Sequence, residues 1–308
     1  MQDASRPRRS PARRRISALA ATLAAGALAS CQHVALAEQC SLVKTYDGRG
    51  VFKDADGLIS FVADVDVNTD GALRSYHPDD PGYFNADGKL DTHFALNTVC
   101  NGVTIVDAAG KTLYGPGQCG TLLKEFARLR PLNWSDAAGV HVKWVGVASK
   151  GQSQPCIDQS GYFVSQTARA LDPKTDECDP AHWPDALKLS SIVLPADAAM
   201  LAAGVKLGDL TVVREPSGRL TGAVFLDTNN TRLGEASVNV ARVLRGGGPD
   251  PATYRAVLRL KLNEAEYFVF PGSGPQLGKL TNASEPAIQK LALKLAGQYG
   301  IKDRKACH

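Results

Sequence analysis

Ala223-Val-Phe225-Leu-Asp227-Thr-Asn-Asn-Thr-Arg-Leu-Gly-Glu235-Ala-Ser-Val-Asn-Val-Ala-Arg242 joins three kinds of pattern in one stretch. The apolar run Ala223 to Leu226 predicts a strand that delivers Asp227 to its end. A polar turn follows, Thr228 to Arg232. Gly234-Glu235 then opens a segment with helical spacing at Val240, Val243 and Leu244, so a helix is expected over 236–244. Two carboxylates are thereby expected on the two sides of one tight connection. Paired carboxylates in different environments are what glycosidic hydrolysis uses: one protonated to donate, one ionised to activate water or to attack. The same two residues also suit plain capping, since Asp at turns and Glu in a first helical turn are common.

Outward from this stretch, short strand-like runs punctuated by Gly, Pro, Asn and Asp dominate. They fall at 58–67, 103–106, 141–148, 162–166, 191–194, 210–213, 220–226, 254–260 and 267–270. Glu215-Pro-Ser-Gly218 between two of them is a hairpin-turn signal. Further helices are expected over 121–130 and over 286–298, the latter with Ile288, Leu291, Ala292 and Leu295 on one apolar face. The expected class is mainly β (α+β): a single β-barrel or sandwich-like domain with a few peripheral helices.

The N-terminus reads as a targeting segment. Arg6, Arg8, Arg9, Arg13, Arg14 and Arg15 precede a mostly apolar stretch from Ile16 to Ala29, too short to span a bilayer. Leu28-Ala-Ser-Cys31 matches a bacterial lipobox, with Cys31 as the lipidation site; Ala35-Leu-Ala37 offers a competing cut. The expected organisation is a lipoprotein signal peptide at 1–30, a tether at 31–45 and a catalytic domain at 46–308. The protein is expected to be exported, either lipid-anchored to the bacterial cell envelope or secreted. Residues 1–30 carry six arginines and one aspartate, so their removal takes the net charge from +4 to about −1. A nucleic-acid partner loses its electrostatic basis at this step. Membrane contact is expected only through the N-terminal lipid, and a monomer is expected.

The cysteines other than Cys31 are Cys40, Cys100, Cys119, Cys156, Cys178 and Cys307, an even set that argues for disulfides in an exported chain. Six allow about fifteen pairings. Loop length favours Cys100 with Cys119 and Cys156 with Cys178, leaving Cys40 for Cys307. No Cys-x-x-Cys pair occurs and the histidines are scattered, so no zinc site is expected.

The wording of the 225–242 stretch resembles the signature of the family 75 chitosanases, endo-acting hydrolases of partly deacetylated chitin. Four further blocks resemble that family in the same order. They are Asp64-Val-Asp66-Val-Asn68-Thr-Asp70-Gly71, Gly161-Tyr-Phe-Val-Ser-Gln-Thr167, Ile192-Val-Leu-Pro195 and Tyr267-Phe-Val-Phe-Pro-Gly-Ser273. The chain departs from the family in a shorter loop between Asp227 and Glu235, and in Asn68 where a Cys is expected. The resemblance implies an inverting hydrolase of β-1,4 bonds in chitosan that uses no cofactor and no metal. Glu235 would be the general acid and Asp227 the base. A helix start would depress the pKa of Glu235, opposite to what an acid needs. The substrate class implied is an aminosugar polysaccharide, with Asp64, Asp66, Asp70 and Tyr162 as its binding residues.

The 64–71 run also has other readings. Asp66, Asn68, Asp70 and Gly71 match the opening of a calcium loop, but His77 stands where that loop needs Glu. Alternation along 61–67 sets Phe61, Ala63, Val65 and Val67 on one face and Asp64 and Asp66 on the other. Trp134, Trp144 and Trp183 are candidates for stacking on sugar faces, against the commoner role of aromatics as core. Ser165 and Ser237 lack a Gly-x-Ser-x-Gly setting, so a serine hydrolase has little support. The alternatives to a chitosanase are a non-catalytic glycan-binding envelope lipoprotein, or a hydrolase of another aminosugar polymer such as peptidoglycan.

Overall fold

A computed structural model describes residues 40–151 and 154–307. The expected signal peptide and lipobox, with Cys31, lie outside the described residues. The main strands are β1 (Ser41–Tyr46), β2 (Arg49–Lys53), β3 (Ile59–Asn68), β4 (Val103–Val106), β5 (Thr112–Tyr114), β6 (His141–Trp144), β7 (Ser191–Pro195), β8 (Leu210–Arg214), β9 (Leu220–Asn229), β10 (Glu235–Ser237) and β11 (Leu262–Phe270). The helices used below are α1 (Cys119–Leu129), α2 (Val238–Leu244), α3 (Tyr254–Leu258) and α4 (Glu285–Gln298).

Six strands close a barrel in the order β3-β10-β7-β9-β8-β11, with β11 returning antiparallel to β3. The chain is therefore mostly β, and of the two expected architectures it is the barrel. Closure follows from period-2 alternation, which gives each strand an apolar inner row. Phe61, Ala63, Val65, Val213, Phe225 and Tyr267 belong to the buried cluster inside. The intervening residues Val212, Val224, Leu226 and Phe268 form an outer cluster with Ile288, Ala292 and Leu295 of α4. Gly222 permits that helix to approach, because a Cβ there would lie 2.8 Å from the Ala292 methyl. The hairpin turn at 215–218 joins β8 to β9, with Gly218 at φ +94°.

Between β3 and β7 the chain makes a long excursion that builds a second core. β4, β5 and β6 form a small sheet backed by α1, and Phe126, Trp134, Trp144 and Phe163 pack together beside Tyr76. Trp134 and Trp144 are thus core residues and not sugar platforms. Trp183 is buried too, with its Nε1 donating to the Glu177 carbonyl at 2.9 Å.

Four expectations are corrected. Glu235 does not begin a helix; residues 235–237 form β10, and α2 starts at Val238 with Ser237 Oγ accepting from the Val240 N–H. Strand pairing on both sides outweighs the helical spacing downstream. The run at 254–260 is the helix α3, capped by Thr253, whose Oγ1 accepts from the Ala256 N–H. Residues 162–166 make only isolated bridges, Phe163 with Tyr76 and Ile157, and Ser165 with Val147. Residues 41–45, expected as tether, belong to β1, which an Asp47-Gly48 turn with both φ positive folds onto β2.

Three disulfides are present: Cys40–Cys307, Cys100–Cys119 and Cys156–Cys178. They suit an exported protein in an oxidising compartment. Among the described residues no helix is long and apolar enough to cross a membrane. Cys40–Cys307 spans a sequence separation of 267 and ties β1 to the C-terminal segment. Replacing both cysteines by Ala is expected to cost about 2–5 kcal/mol in denaturant unfolding under oxidising conditions. An unchanged midpoint would refute a stabilising role for this bond.

Candidate active site

Three strands bring the carboxylates together by register. Glu235 pairs with Asp66 of β3 on one side and with Val193 of β7 on the other. Asp227 pairs with Val193 from the far side of β7. The ladder skips Leu226, since Ile192 pairs with Phe225 and Val193 with Asp227. Such a bulge sets two residues against one and re-aims a side chain. Here it brings Asp227 into the row Asp66–Glu235–Val193–Asp227, while Val65, Ala236, Ile192 and Phe225 keep to the barrel interior.

Gly234 makes the entry to β10 possible. Its φ is +92° and a Cβ there would lie 2.5 Å from the Asp64 carbonyl. Its own carbonyl accepts from the Asp66 N–H at 2.7 Å. The buried Tyr267 hydroxyl lies 2.8 Å from the Asp64 carbonyl and 3.2 Å from that of Gly234, fastening both from inside the barrel.

A cleft of about 420 Å³ lies outside this row, between the barrel and the excursion. Asp66, Asp70, Arg232, Glu235, Asn97 and Tyr254 are among the residues that line it; Asp227 is not. Asp70 follows β3 in a turn whose Gly71 has φ +85°; a Cβ there would fall 2.0 Å from the Pro184 carbonyl. Asn68, at the position where a Cys was expected, accepts the Asp70 N–H at 2.5 Å. The Asp70 carboxyl takes a 2.6 Å hydrogen bond from the Tyr76 hydroxyl, with Ser165 Oγ at 3.4 Å.

The other expected binding residues stand elsewhere. Asp64 does not line the cleft; Arg49 holds its Oδ1 at 2.7 Å and Lys261 its Oδ2 at 3.1 Å. Tyr162 packs edge-on against His77 and Phe94, away from the cleft lining. Sequence reading missed Asn97, Asn101, Tyr254 and Lys261, which carry no motif. Arg232 was within reach: it lies three residues before Glu235, and its guanidinium is 3.6 Å from that carboxylate.

The electrostatics separate the acids. Burial raises the pKa of Asp227 to about 6, with the charge of Glu235 adding to it. Its Oδ1 nevertheless accepts from the N–H groups of Ala168 at 2.8 Å and Thr228 at 2.9 Å, which favour the anion. Burial also raises Glu235, helped by the Asp66 charge and opposed by Arg232. Glu235 sits on a strand and not in a first helical turn. Asp70 is pushed up to about 8 by burial and by the charge of Asp227. Asp64 goes the other way: burial would raise it, but Lys261 and Arg49 hold it below its ordinary value. Among the described residues no group of His, Cys, Asp and Glu is arranged to hold a metal ion. The chain matches no protein-family model and no curated protein.

Asp70 and Asp227 have native pKa values above the ordinary 3.8, so the folded state binds more protons than the unfolded chain. Their contribution to stability is full below pH 3.8 and is lost as pH rises through about 6 and then about 8. Each can contribute a slope of at most about 1.4 kcal/mol per pH unit. Asp70→Asn, which mimics the protonated form, is expected to flatten the decline between pH 6 and 8 in denaturant unfolding. An equally steep decline in the variant would refute the protonated state of Asp70.

Proposed function

We propose that this protein is an exported endo-acting glycoside hydrolase that cleaves β-1,4 bonds in chitosan by an inverting, two-carboxylate mechanism. The observation that carries the reading is the placement of Asp227 and Glu235 on opposite sides of one strand with Val193 as shared register partner, Glu235 lining a polar cleft. Two strand spacings separate their Cα atoms by roughly 9.5 Å. Inversion, which the resemblance implies, uses carboxyls ~6.5–9.5 Å apart so that a hydrolytic water fits between them. The family 75 resemblance supports the same pair. Cys31 would tether the exported enzyme through its lipid.

The roles are those the resemblance implies, with burial raising both carboxyls. Glu235, raised by burial and by Asp66, is the acid that donates a proton to the glycosidic oxygen as the bond to the anomeric carbon breaks. Asp227, oriented by two backbone N–H groups, accepts a proton from water as the water oxygen bonds to that carbon. The two protons are later exchanged with solvent, and no cofactor enters the reaction. Asp66, which lines the cleft, suits the ammonium groups of deacetylated units.

Reducing-end release from well-deacetylated chitosan tests the proposal. Asp227→Asn and Glu235→Gln are each expected to lower the rate by about 10²–10⁴-fold in proteins that remain folded. Proton NMR of fresh product is expected to show the α anomer first. Full activity in both variants would overturn the mechanism. Binding of the polymer without release by the folded wild type would instead favour a non-catalytic glycan-binding lipoprotein.

A further inference from the structure

Lys261 immediately precedes β11, whose Leu262 pairs with Val65 between the two aspartates of β3. Its ammonium lies 2.6 Å from Asp66 Oδ1 and 3.1 Å from Asp64 Oδ2. The two partners differ. Asp64 is shielded, with its side chain 14% exposed, and shares Arg49; Asp66 is 41% exposed and lines the cleft beside Glu235. Among the described residues Lys261 is the one cation paired with Asp66. The carboxylate best placed to receive a cationic sugar therefore already holds an ammonium from the protein itself. That ammonium has a second anion to fall back on. Arg49 and Asp64 anchor the ladder behind it, so Lys261 can release Asp66 without being left unpaired.

We propose that Lys261 determines the charge preference of the cleft: its ammonium holds Asp66 until an ammonium group of the polymer takes its place, while Lys261 stays with Asp64. This inference rests on the aminosugar reading of the site. It adds the prediction that the protein competes with its own ligand. A neutral N-acetylated unit cannot make the exchange and leaves the Lys261–Asp66 pair intact. The resident lysine thereby lowers affinity for deacetylated stretches and sharpens its dependence on how many amines are free. Because the pair is solvent-exposed, its strength is that of a surface ion pair, and the effect should be modest and salt-sensitive.

The test is titration of the glucosamine hexamer and the N-acetylglucosamine hexamer into the full chain carrying Glu235→Gln, which prevents consumption of the ligand. Adding Lys261→Met, which keeps the aliphatic stem, is expected to tighten glucosamine-hexamer binding by about threefold at low salt. The N-acetylated hexamer should bind as before. Lys261→Gln should give the same shift, and Asp66→Asn should abolish it. Unchanged or weaker glucosamine binding, equal tightening for both hexamers, or a shift that persists with Asp66→Asn would each overturn the inference. Chitosan hydrolysis by the wild type with no Lys261 effect would sink this inference alone. Neither binding nor hydrolysis would sink the functional reading with it.

Discussion

The barrel closes through a strand of three residues. Glu235–Ser237 pairs in parallel with β3 and antiparallel with β7, and without it the two long halves of the sheet would face each other across a gap. So short a strand adds few ladder hydrogen bonds, and its position is held from elsewhere. Gly234 turns the chain in with no room for a Cβ, and Tyr267 ties Gly234 and Asp64 together from the interior. Ala236, the middle residue, points into the barrel and has no exposed surface. Every carboxylate of the candidate site is placed relative to this segment. Asp66 and Glu235 are direct register partners, Asp227 is reached across β7, and Asp70 continues the strand that β10 pairs with.

Crowding acids in this way runs against stability. Asp66, Asp70, Asp227 and Glu235 repel one another, and three of them have pKa values raised by their surroundings. The surrounding cations compensate unevenly. Arg49 and Lys261 neutralise the Asp64–Asp66 side through short contacts, whereas Arg232, largely exposed, reaches Glu235 only at 3.6 Å. Asp70 and Asp227 have no ion-pair partner among the described residues, and rely on hydrogen bonds from Tyr76, Ala168 and Thr228. Ion pairs thus neutralise the edge of the cluster, while the carboxyls at its centre have raised pKa values.

The long barrel strands were legible because a buried inner face writes a period of two into the chain; Phe61, Ala63 and Val65 show it directly. The last helix was legible for the same reason at period 3.6, through Ile288, Ala292 and Leu295. Asp227, Glu235, Asp66 and Asp70 were legible as chemistry, but their mutual geometry was not. A three-residue strand is too short to carry a period, and the helical spacing after Ser237 drew Glu235 into the wrong element. The bulge at Leu226 leaves no local mark either; it exists only as a relation between β9 and β7. The run at 254–260 held too few residues to separate strand from helix, and the capping role of Thr253 went unused. Asn97 and Tyr254 reach the cleft through contacts distant in sequence, which no spacing rule anticipates.

The Cys40–Cys307 bond has a mechanical meaning as well as a thermodynamic one. Cys40 is the residue just before β1, the outermost strand of the sheet. A pull on the chain from its N-terminal side would otherwise load β1 in the direction that unzips an edge strand one hydrogen bond at a time. With the bond in place, the load passes directly to Cys307, whose N–H is bonded to Ser60 Oγ on β3, and so into the barrel wall. A protein held at its N-terminus and tugged by a long polymer in its cleft would transmit that force through a covalent link, and the edge hairpin would be spared.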